Sequence, residues 1–247
     1  MNDELRDPPP PLAPPKTWVL KAQALFEVIL LAGVVSSLLA MLPFAFSASR
    51  REHLLENVGD TVAYLLLEAA ITLLLMFLVM RAHGETLRWL GLSWARWGVN
   101  VLAGLAIVPL LFFLNLVVSL IFQTFFPKYF MESNPLTELV QSPRDLLLLT
   151  SAALIAGGFK EELQRAFILR RFQTYLGGAW LGLMLWSIVF GLGHYLQGAQ
   201  GVVAATLFGL IFGAVYLIRR NLIIPMAAHG TYDTLALVGY WLLTHHK

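Results

Sequence analysis

The chain alternates long apolar runs with short polar breaks, and the runs have the length that crosses a bilayer. A spanning helix needs about 20 mostly apolar residues. By that measure the runs are 19–46, 62–80, 99–125, 146–172, 179–195, 201–218 and 222–243. The first and fourth are long enough to tilt or to include an interfacial turn. Segment 84–97 mixes Arg88 and Arg96 with Trp89, Trp94 and Trp97, the composition of a helix lying at headgroup level. Segment 127–145 reads as a polar connector containing Pro135 and Pro143. There is no internal repeat. The pattern predicts an all-α, polytopic transmembrane helix bundle of about seven to eight spans.

The pattern also divides the chain. Residues 1–17 carry six prolines between Pro8 and Pro15 and are expected to form a disordered tail outside the fold. Acids and prolines replace the basic region and apolar core that a cleavable signal peptide would need. Residues 18–143 hold the amino-terminal spans and the interfacial segment, and 144–247 hold the spans that carry the polar motifs described below.

Composition removes the alternatives to a membrane protein. Of 247 residues, 58% are hydrophobic and 13% charged, and the mean hydropathy is +0.71. Soluble domains carry roughly a quarter charged residues. A net charge of +2 without a Lys/Arg cluster gives nucleic acid no basic face to bind. The absence of cysteine excludes disulfides, thiolate metal sites and a cysteine nucleophile. With the N-terminus inside, the inner segments carry Arg6, Lys16, Lys21, Arg81, Arg88, Arg96, Arg170, Arg171, Arg219 and Arg220. The outer segments then carry Arg50, Arg51, Lys128, Arg144 and Lys247. That imbalance predicts a multi-pass plasma-membrane protein with a cytoplasmic N-terminus.

Charged residues at bilayer depth are costly and are kept where they pair, line a cavity or do chemistry. The second half of the chain has several: Lys160, Glu161, Glu162 and Arg165 in one span, His194 in the next, and His229 and Asp233 in the last. On a helix Arg165 lies four residues after Glu161 and three after Glu162, so it can reach either carboxylate. Adjacent glutamates point about 100° apart, so one arginine does not neutralise both fully. His229 and Asp233, four apart, share a helix face. In the first half Glu27 and Glu68 are the exceptions, and for Glu68 the sequence offers only an interhelical hydrogen bond. Carboxylates and two imidazoles screened from bulk water can activate a water molecule and stabilise an oxyanion. The same groups are a His/His/Glu ligand set for zinc.

In these residues the sequence resembles the CPBP family of intramembrane proteases, which includes CAAX prenyl endopeptidases and Abi-like bacteriocin-processing and immunity proteins. The family pattern is two adjacent glutamates followed by an arginine, then F-x-x-x-H, then H-x-x-x-N or H-x-x-x-D. Here these are Glu161, Glu162 and Arg165, then Phe190 and His194, then His229 and Asp233. Arg165 stands one position closer to the glutamates than the family's arginine. The resemblance covers roughly residues 145–243. It implies an endopeptidase acting on a membrane-associated protein or peptide in the lipid bilayer. Glu161 and His194 would activate the attacking water, and His229 and Asp233 would line the oxyanion side. Glu162 and Arg165 would hold that arrangement. A zinc ion on Glu161, His194 and His229 and a metal-free mechanism both stay open at this stage. A non-catalytic immunity or scaffold protein and a proton-coupled transporter are the competing readings. Substrate identity and oligomeric state are not legible.

Overall fold

A computed structural model of the protein describes residues 17–46, 54 and 56–245, so residues 1–16 of the expected tail lie outside the described residues. Among the described residues the regular structure is helical throughout. Helices α1 (Thr17–Leu31) and α2 (Val34–Ala45) form the first passage, α3 (Val58–Ala82) the second, and α4 (Trp97–Leu105) with α5 (Val108–Phe125) the third. The connector that follows contains a 3₁₀ turn at Pro127–Tyr129 and one helical turn at Pro135–Glu138. The fourth passage is α6 (Pro143–Ala152), a π-helical segment (Ala153–Glu161) and α7 (Glu162–Tyr175). Helices α8 (Ala179–Leu192), α9 (Gly198–Arg219) and α10 (Ile223–His245) complete the bundle.

Each of the seven expected spans has a helical counterpart. Four passages are long and apolar enough to cross a membrane on that ground alone: Thr17–Ala45, Val58–Ala82, Trp97–Phe125 and Tyr195–Arg219. Helix α8 is shorter, and the fourth and last passages carry the polar groups.

Local chemistry sets the boundaries. Asn57 caps α3 by accepting from the Asp60 amide at 3.0 Å, and Ser142 caps α6 by accepting from the Asp145 amide at 3.2 Å. The first passage is not one helix. Gly33 takes a left-handed conformation (φ +99°), which leaves the carbonyl of Leu31 free, and the Gln164 side chain of α7 donates to it. Segment 84–97 is a correction: it is a series of turns rather than a helix. Gly84 and Gly91 have φ of +68° and +91°, and such conformations interrupt an α-helix. A Cβ on Gly91 would sit 2.9 Å from the Arg220 carbonyl oxygen, so the segment packs directly on the corner between α9 and α10.

Helix α7 sits at the centre, since every residue from Glu162 to Leu169 is buried and a helix buried all round has neighbours on every side. Phe167, Ile168 and Leu169 share a core with Leu31, Met76 and Leu90 of the amino-terminal half and with Trp186 and Tyr216 of α8 and α9. Lipid is as apolar as leucine, so close packing of small residues holds such helices together. A Cβ on Gly158 would lie 3.0 Å from Gly230 Cα, and that contact seats the π segment on α10.

Candidate active site

Glu161 closes the π segment and Glu162 opens α7, so the two side chains meet different neighbours. Glu162 is buried, and its Oε1 accepts from the Arg165 guanidinium and from His229 Nδ1 at 2.8 Å. Glu161 keeps 21% of its side chain exposed and has Lys160 Nζ at 3.8 Å and His229 Nε2 at 3.9 Å. Neither distance is a hydrogen bond. The spacing left the choice of Arg165 open, and the geometry places it on Glu162.

Two aromatic rings hold this pair. The Arg165 guanidinium lies 4.6 Å from the Phe190 ring and 5.4 Å from that of Phe212, within cation–π range. His229 stacks on Phe212 at 4.8 Å and meets Phe190 edge-on at 6.2 Å. With Nδ1 turned to Glu162, His229 presents Nε2 to Asp233 Oδ2 at 3.5 Å and to Glu161. Gly157 keeps this face open, because a Cβ there would lie 2.7 Å from Asp233 Oδ2 and 3.5 Å from His229 Nε2. π turns inside α-helices recur at functional sites, and this one carries both Gly157 and Glu161.

The structure therefore gathers Glu161, Glu162, Arg165, Phe190, His229 and Asp233 into one cluster. His194 stands at its edge. Its Nδ1 donates to the Phe190 carbonyl at 2.8 Å, and its ring lies 4.6 Å from that of Phe190. It does not hydrogen-bond to Glu161 or His229.

Sequence reasoning missed Phe212, and it expected an interhelical hydrogen bond at Glu68, which Ser36 makes, without naming Lys160 as its ion-pair partner. Phe212 stacks on His229 and looks like any apolar residue of its span. Glu68 of α3 accepts from Lys160 Nζ at 2.8 Å, and its other oxygen accepts from Ser36 at 2.6 Å and Thr72 at 2.9 Å. A signal for it existed: Lys160 is the one lysine deep within an apolar run in the second half, and it needed a carboxylate.

A zinc site would need its donors gathered about 2.0–2.2 Å from one point. Among the described residues no three of His, Asp and Glu are grouped to hold a metal ion. His229 gives Nδ1 to Glu162, and His194 turns Nδ1 to a backbone carbonyl. Both histidines thus keep Nε2 as the free ring nitrogen, the arrangement a zinc-bound histidine also has, and no step below is routed through a metal.

An all-helical bundle with four passages long and apolar enough to cross a membrane belongs to the class of multi-pass membrane proteins. A family likeness follows from comparison. Residues 142–235 match the family model described as Type II CAAX prenyl endopeptidase Rce1-like. That segment runs from the cap of α6 to just past Asp233 and is similar to CAAX-type proteases over that length. No curated protein and no solved structure matches the chain.

Proposed function

We propose that the chain is an intramembrane endopeptidase that cleaves a peptide bond of a membrane-associated protein or peptide with a water activated by Glu161. One observation carries this reading. Arg165 and His229 Nδ1 both serve Glu162, which leaves Glu161 and His229 Nε2 without hydrogen bonds, 3.9 Å apart. That gap is too long for a direct bond and suits a bridging water.

In this mechanism the Glu161 carboxylate accepts a proton from the water as its oxygen attacks the substrate carbonyl carbon. The carbonyl electron pair moves onto oxygen. His229, as the imidazolium, donates from Nε2 to that oxyanion while Asp233 balances its charge. His194 positions the water from the edge of the cluster. Collapse of the tetrahedral intermediate expels the amine nitrogen, which takes up the proton held by Glu161. The amide is thus split into a carboxylic acid and an amine by one water. Glu162, itself held by Arg165, accepts from His229 Nδ1 and fixes the orientation of the ring.

The test uses the full chain in liposomes with a quenched fluorescent peptide ending in a farnesylated Cys-aliphatic-aliphatic-X tetrapeptide, the substrate class named in the family description. Glu161→Gln is expected to lower turnover by about 10²–10⁴, the usual worth of a general base. Wild-type rates in that variant overturn the assignment of the base, and failure of wild-type protein to cleave such peptides overturns the substrate class.

A further inference from the structure

One end of the bundle is tied into a single layer by bonds between helix ends. Gln23 of α1 contacts His83 after α3 at 3.1 Å. Arg171 of α7 binds Glu27 of α1 at 2.6 Å and Glu85 at 2.5 and 2.9 Å. Arg170 donates to the Trp89 carbonyl at 3.0 Å, Arg220 to Gln173 at 2.9 Å, and the Leu222 amide to the Gly91 carbonyl at 3.2 Å. Segment 84–97 is thereby pinned beneath α7, α9 and α10.

The charges of this layer are unevenly used. Its two described carboxylates, Glu27 and Glu85, are both engaged by the buried guanidinium of Arg171. Arg81, Arg88, Arg96, Arg219 and Arg220 are exposed, and among the described residues none of them pairs with a carboxylate. Among the described residues the opposite end differs in sign: its connectors and helix starts carry Glu56, Asp60, Glu132, Glu138 and Asp145 against Lys128 and Arg144.

Exposed indoles stand at the level of the arginines. Trp94 and Trp97 lie in or beside the pinned segment, and Trp18 and Trp180 open α1 and α8, all of them at least 60% exposed. Indoles favour the headgroup region, and guanidinium binds phosphate oxygens in a bidentate manner. Exposed arginines without carboxylate partners, set among indoles where apolar helices end, suit the phosphates of a bilayer. We propose that this end of the bundle is a binding surface for anionic lipid headgroups, with segment 84–97 as its centre. The inference is independent of the proteolytic reading.

The test needs no substrate. The full chain is reconstituted in phosphatidylcholine vesicles containing brominated phosphatidylglycerol or brominated phosphatidylcholine, and quenching of tryptophan fluorescence reports which lipid occupies the indole layer. The expected preference for phosphatidylglycerol is roughly fivefold, the increment of one basic residue at an anionic surface. It should fall toward unity at about 1 M salt, where the screening length is about 3 Å. The combined variant Arg88→Gln, Arg96→Gln, Arg219→Gln changes exposed residues only. It should keep the wild-type circular dichroism melt in phosphatidylcholine and lose the preference. Equal quenching by both lipids in wild-type protein overturns the proposal, as does a preference that survives high salt or the combined variant. Competition by soluble glycerol phosphate would show a site for free phosphate instead, and so would overturn it as well.

Discussion

Arg165 and Arg171 lie six residues apart on α7, each buried to 1% exposure, and they are satisfied in opposite ways. Each of the three guanidinium nitrogens of Arg171 meets a carboxylate oxygen, from Glu27 or Glu85. Arg165 has one carboxylate bond, to Glu162, and its Nε and Nη2 have no hydrogen-bond partner. The Phe190 and Phe212 rings lie against it instead. Burial alone does not tell these two arginines apart, but bonding saturation does. A saturated buried network locks helices together, whereas an unsaturated one keeps donors available and is energetically exposed to whatever enters. Arg171 clasps three parts of the fold, and Arg165 belongs to a site with spare capacity.

The largest effect should come from breaking the saturated side. Arg171→Met leaves Glu27 and Glu85 without their common partner and is expected to cost about 3–5 kcal/mol, as removal of one member of a buried ion pair does. Denaturant unfolding in detergent micelles measures it. A loss under about 1 kcal/mol would mean that the clasp adds nothing beyond packing.

Lys160 and Glu68 make an intermediate case, a saturated pair beside the unsaturated site. Lys160→Met should cost about 3 kcal/mol, the low end for a broken buried pair, because Ser36 and Thr72 still serve Glu68. Adding Glu68→Gln should bring stability back to within about 1 kcal/mol of wild type, since a neutral pair no longer strands a charge. A double variant less stable than the single one would refute the coupling.

The smallest effect sharpens the contrast most. Arg165→Lys exchanges a plane that stacks on two rings for a point charge, and it should lower turnover about tenfold, or about 1.4 kcal/mol of transition-state stabilisation. Arg171→Lys should do the reverse, lowering the unfolding midpoint while the surviving enzyme keeps its kcat. Side-by-side melts and cleavage rates decide the matter, and matching profiles for the two variants would erase the distinction drawn between them.

What could be read from the sequence was what short-range pattern encodes. Apolar run length located the spans, and three motifs in order singled out Glu161, Glu162, His194, His229 and Asp233, because the residues of each motif lie within five positions of one another. Long-range pairing was not encoded that way. Glu68 and Lys160 are 92 residues apart, and nothing local to Glu68 names its partner. Arg165 had two acceptors at helical reach, and the choice depended on His229, which arrives from another helix to share Glu162. Segment 84–97 had the right composition for the membrane interface but not the expected helix, since Gly91, one of the two left-handed glycines that turn it, answers to the α9–α10 corner.

The π segment has a consequence for how this chain tolerates changes in length. A wide turn accommodates surplus residues without altering where the helix beyond it points, so chain length and rotational phase are partly decoupled between Ala153 and Glu161. Loss of a single residue there would be absorbed as the segment tightened to an ordinary α-helix, with Glu161 and Glu162 still directed at His229. The same deletion inside α7 has no such slack to draw on. It would turn the later residues by about 100° and swing Arg171 away from Glu27. Within one continuous passage, the nine residues of the π segment, which end on Glu161, have slack to lose one, and the fourteen of α7, which begin on Glu162, are held to a fixed count.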